Sequence, residues 1–159
     1  MLTRTSSHIR WLGFGLRFIL VHLLTYFALS GVFLPLQARL PESARIALDF
    51  FMPFRQLGLS TLIAQAIRAA LMALVLYPFY GALVQQKQGF WLLFGALWGL
   101  ALVGSLEPFP GSIEGMIYTI TTLREHVMIL AMGAVQVSLF CWLFLKWEGR
   151  NTSRSEAHV

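Results

Sequence analysis

At 159 residues, with 57% hydrophobic and only 12% charged side chains and a mean hydropathy of +0.69, the chain lies far from a soluble domain, which carries about 25% charge. Such a composition describes a polytopic membrane protein whose medium and first partner is the lipid bilayer, and the length suits about four spans of ~20 residues in one domain. The net charge of +5 comes from basic residues scattered singly through tails and loops, which excludes nucleic acid as a partner, and the single Cys141 excludes an internal disulfide or a thiolate metal cluster.

The first span is expected over residues 11–36, anchored by Arg10 and Trp11 and closed near Pro35. Arg4 and Arg10 before an apolar run imitate a signal peptide, but Arg17 interrupts the run and its continuation to Leu36 argues for retention. Arg17 lies within snorkelling reach of the headgroups. His22, Thr25 and Leu29 share a helical face, which directs His22 and Thr25 into a bundle.

Between the first two spans, Pro41 and Pro53 bracket Glu42 to Met52, where Glu42, Arg45 and Asp49 fall on one helical side and Ile46 and Phe50 on the other. The pattern predicts a short helix lying on the outer membrane surface or packed on its own bundle. The second span, 57–84, carries Thr61, Gln65 and Arg68 at i, i+4 and i+7, a polar stripe on an apolar cylinder. Arg68 sits about a dozen residues from either end, beyond easy snorkelling, where an arginine costs at least ~2.5 kcal/mol. It therefore calls for an anionic or carbonyl partner. Tyr77-Pro78-Phe79-Tyr80 predicts a kink.

The polar turn Gln85 to Gln88 makes the second and third spans antiparallel neighbours, the third covering 90–106 with a G-x-x-x-G step at Gly95 and Gly99. Glu107-Pro108-Phe109-Pro110-Gly111 cannot be helical. It is followed by Ile113, Ile117 and Tyr118, too apolar for a solvated loop and too short to span. Residues 105–121 are thus read as a folded-back, re-entrant-like loop. Thr122-Leu123-Arg124-Glu125 fits a capping box opening the fourth span, 123–147, and the polar residues from Glu148 onward lead into a disordered tail at 149–159.

The expected fold is an all-α membrane protein, a four-transmembrane-helix bundle in one domain, 1–148, with an outer interfacial helix and a folded-back loop between helices 3 and 4. Outside the spans, one side holds Arg4, Arg10, Lys87, Lys146, Arg150 and Arg154, and the other Arg39, Arg45, Arg55 and Arg124. The bias of six against four places both termini in the cytoplasm, in a cell inner or plasma membrane.

The candidate polar site gathers Gln65 and Arg68 from the second span, Glu107 and Glu114 from the loop, and Tyr118, His126 and Gln136. Carboxylates on a folded-back loop are the nearest source of charge opposite to Arg68. The pair would either pin the loop to the bundle or leave a second carboxylate free to carry protons. No ligand spacing supports a metal at Glu107, Glu114, Glu125 and His126, and His22 and His126 fall at unmatched depths for haem. Neither metal nor cofactor is therefore expected. No hydrolase motif occurs, and the only aspartate, Asp49, lies outside the spans. Intramembrane ionisable residues are functional by default, so a homo-oligomeric channel or transporter is favoured. An accessory or assembly subunit of a larger membrane complex is the first alternative, and a lipid-headgroup-binding protein or intramembrane enzyme the second.

Overall fold

The computed structural model describes residues 3–38, 58–103, 111–118 and 122–156, and among these every regular element is helical. In chain order they are α1 (Thr3–Ala38), α2 (Leu59–Leu76), a 3₁₀ turn (Tyr77–Phe79), α3 (Tyr80–Val84), α4 (Gly89–Val103), α5 (Ile113–Tyr118) and α6 (Leu123–Glu156). Three stretches are long and apolar enough to cross a membrane: Arg10–Val32, Leu59–Val84 and Leu123–Arg150. Of the third expected span, 90–106, the described residues form α4, 15 residues long, about 22 Å of helix. The expected interfacial helix at 42–52, and the loop residues 104–110 and 119–121, lie outside the described residues.

Local chemistry accounts for the breaks. Pro78 removes a donor and crowds the preceding turn, and the chain answers with the single 3₁₀ turn Tyr77–Phe79 before α3 resumes. The Gln85–Gln88 turn is closed by Gly89, whose N–H donates to the Gln86 carbonyl at 3.0 Å. A Cβ on Gly89 would lie 1.9 Å from the Leu83 carbonyl oxygen, so only glycine fits that approach. At the start of α6, the Thr122 N–H donates to Glu125 Oε2 at 2.7 Å, the glutamate arm of the expected capping box.

Helices α1 and α6 form the centre of the bundle. α1 packs on α2 on one side and α6 on the other, while α4 packs on the far side of α6. Phe14, Phe18, Val21 and Thr25 repeat at helical spacing along α1 and are all buried. Phe14 meets Phe144, Tyr77 and Tyr80 edge-on at 5.3, 5.4 and 5.6 Å between ring centroids, and Phe18 meets Phe140 at 4.7 Å. Small residues on α2, Ala69 and Ala73, are the ones buried against this aromatic ridge, as expected where helices in lipid associate by close packing. Thr25 satisfies its hydroxyl within its own helix, donating to the Val21 carbonyl at 2.9 Å.

The ridge ends in an ion pair. Arg17 donates from Nε to Glu148 Oε2 at 2.5 Å and from a terminal nitrogen to Oε1 at 2.8 Å, and the Tyr80 hydroxyl donates to the same Oε1 at 3.0 Å. Snorkelling is therefore not what Arg17 does: its fork is engaged by a carboxylate only 3% exposed. Glu148 is likewise part of the bundle rather than the first residue of a tail. Beyond it α6 stays helical to Glu156, across residues whose polarity suggested a disordered tail at 149–159. No proline interrupts this stretch, and a packed helix propagates readily into adjoining residues. The lock brings the beginning of α1, the α2–α3 junction and the end of α6 to one end of the bundle.

Removing one partner of this pair strands the other beside an aromatic core. We expect Glu148→Ala to lower stability by about 3 kcal/mol, and Arg17→Met with Glu148→Leu to restore most of it, since an apolar pair leaves no orphan charge. Thermal unfolding in detergent, followed by circular dichroism, measures both.

Candidate functional site

Two polar sites stand on this framework. The first lies between α1 and α2, where His22 Nε2 and Gln65 Oε1 are 3.1 Å apart. With the amide oxygen as acceptor, Nε2 carries the ring proton. The imidazole is held in place by Tyr26, stacked at 6.4 Å, and Phe140, edge-on at 6.1 Å. Arg68 follows Gln65 by about one turn of α2. Its own side chain is exposed on the outer surface of α2. Among the described residues, Arg68 has no hydrogen bond or ion pair.

The second site lies at the opposite end, where the turn before α5 meets the first turn of α6. Gly111 adopts φ +97°, a conformation that suits glycine, and points its N–H at His126 Nδ1 at 2.8 Å. Ser112 Oγ accepts the Gly115 N–H at 3.0 Å, tying down the start of α5. His126 is 1% exposed, and its Nε2 has no hydrogen-bond partner among the described residues. Because Nδ1 is the acceptor, Nε2 carries the proton, and a buried donor left unpaired costs about 1–3 kcal/mol. The imidazole thus trades one unsatisfied N–H for a fixed turn. Nothing in the residue spacing around His126 announces this bond, because its partner is a backbone group fifteen residues away.

The residues singled out from sequence are distributed over both sites. Gln65 joins His22, a residue expected only to face the bundle, and Arg68 adjoins the pair. His126 joins Gly111 of the loop, with Glu114 half-buried on α5 and Tyr118 as its last residue. Gln136 is half-buried about three turns along α6. Glu107 lies outside the described residues. Among the described residues, no hydrogen bond or ion pair links Arg68 to Glu114, His126 or Gln136. Nor are three His, Cys, Asp or Glu side chains placed among them to hold a metal ion.

A third polar group, Arg17–Glu148–Tyr80, escaped the sequence reading. One signal for it existed: with both termini on one side, a cation just inside the first span and an acid just after the last apolar run fall at similar depth. Comparison with protein-family models, curated proteins and solved structures gives no match for this chain.

The contrast between two glycines tests the second site. A Cβ at Gly111 would sit 2.7 Å from Ile129 Cγ2 on an already left-handed backbone, whereas one at Gly95 meets nothing within 4 Å. Gly111→Ala should cost about 1–3 kcal/mol, while Gly95→Ala should be neutral or stabilising by up to about 1 kcal/mol. Midpoints of thermal unfolding rank the two variants.

Proposed function

We propose that the protein is one subunit of a homo-oligomeric channel or transporter, and that the Arg68 face of α2, beside the His22–Gln65 contact with α1, is turned towards a neighbouring copy or a water-filled path between copies. The observation that carries this reading is Arg68: a guanidinium exposed midway along an apolar, membrane-length helix, with no partner among the described residues of its own chain. Facing lipid, that charge would cost at least ~2.5 kcal/mol. Facing a second subunit or water, it is solvated, and it lies beside an imidazole able to exchange protons.

In this proposal the chain crosses the membrane four times, with α4 and its adjoining residues as the third crossing and both termini in the cytoplasm. Two facts support the arrangement. Arg17 and Glu148, near the two ends of the chain, are bonded to each other, and the basic residues outside the spans favour the side of the termini by six to four. The open helix face at Gly95 and Gly99, where an added Cβ meets nothing within 4 Å, offers a second surface for close helix approach.

The test separates assembly from fold, because Arg68 contributes no hydrogen bond to its own chain among the described residues. Arg68→Leu should retain wild-type helicity and thermal stability in detergent, yet lose the homo-oligomer seen by native mass spectrometry and abolish ion flux in liposomes. Arg68→Lys should assemble but conduct differently, since an ammonium lacks the planar fork. A wild-type protein that is monomeric from lipid and carries no flux would overturn the proposal. Recovery of a stoichiometric foreign membrane subunit instead would replace it with the accessory-subunit reading.

A further inference from the structure

On the surface between α1 and α6 lies a groove of about 600 Å³. Its inner part is apolar, formed by Leu20, Val21 and Leu24 of α1 and Leu143 of α6. Its outer part is cationic, formed by Lys146 and Arg150, one turn apart on the same side of α6. Trp147 completes the wall between them.

We infer that this groove binds an anionic phospholipid from the leaflet on the side of the chain termini. Charge complementarity supports it. The acid nearest in sequence, Glu148, is buried and bonded to Arg17 and Tyr80, so it does not neutralise the groove. Among the described residues, neither Lys146 nor Arg150 has an ion pair or a hydrogen bond; the Lys146 ammonium rests over the Trp142 ring at 4.5 Å from its centroid. The two cations can therefore meet a phosphate from adjacent turns of one helix.

Depth supports it as well. Arg17–Glu148 fixes α1 antiparallel to α6, so the order Arg150, Lys146, Leu143 runs from the end of the bundle inward and is met by Leu20 and then Leu24 on α1. Each turn advances about 5.4 Å. A phosphate at Lys146 and Arg150 thus sits above an apolar bed for acyl chain, with Trp147 at the headgroup level that indoles prefer. Basic pockets between transmembrane helices on the cytoplasmic side bind anionic headgroups in this way. A free phosphate would use the cations and leave the apolar bed unexplained. The inference is independent of the transport proposal, since it involves neither α2 nor Arg68.

The experiment uses the full chain in nanodiscs of mixed phosphatidylglycerol and phosphatidylcholine, released for native mass spectrometry. Phosphatidylglycerol should be retained over phosphatidylcholine by about tenfold or more, and Lys146→Gln with Arg150→Gln should remove that preference, as expected for two basic residues near a headgroup. Both side chains are exposed, so the double variant should unfold at the wild-type temperature, which circular dichroism checks. Equal retention of the two lipids, or an undiminished preference in the double variant, overturns the inference. Displacement of retained phosphatidylglycerol by millimolar inorganic phosphate overturns the assignment to lipid.

Discussion

The contact on which this bundle depends is the charged lock between Arg17, Glu148 and Tyr80. Within a membrane, apolar side chains gain little from leaving lipid for one another, so helix association rests on close packing and on the few polar bonds available. Here a bidentate guanidinium–carboxylate pair, supplemented by a phenol, joins three helical segments at one end. The aromatic ridge of Phe14, Phe18, Phe140 and Phe144 then packs in the register that the lock permits. Because the pair closes a separation of 131 residues, it also holds the first half of α1 and the later part of α6 at one end of the bundle.

From that end to the other, the polar groups change character. The lock engages both carboxylate oxygens of Glu148. The His22–Gln65 contact leaves a neighbouring arginine exposed, and His126 accepts the Gly111 N–H at one nitrogen while the other has no partner among the described residues. A fully paired site holds helices together and a partly paired one still has capacity to bind. This gradient is the physical basis for reading Arg17–Glu148 as structural and for the proposal of transport at the Arg68 face of α2. The exposed surface follows the same logic: the Gly95–Gly99 face of α4 and the α1–α6 groove are open, and each has a chemical character suited to one kind of neighbour.

Much of the framework was legible in the residues themselves. Long apolar runs forced helices, because no other open structure satisfies its backbone in lipid. Pro78 marked the break it causes, Gln85 to Gln88 marked the turn, and Glu125 marked the start of α6. Residues 149–156 are helical although their polarity suggested a disordered tail, because polarity reports what a segment would do alone, and a segment continuous with a packed helix is not alone.

Composition and periodicity by themselves determined that the chain is helical, apolar enough for a membrane, and broken where proline and glycine demand it. These are local properties of backbone and side chain. Which charge meets which was decided only in three dimensions. Arg17 found Glu148, Gln65 found His22, His126 found a backbone N–H, and Arg68 was left facing outward. Such pairings depend on the rotation of each helix about its axis and on its height against its neighbours. Hydropathy does not encode either quantity when lipid and leucine are equally good surroundings for an apolar side chain.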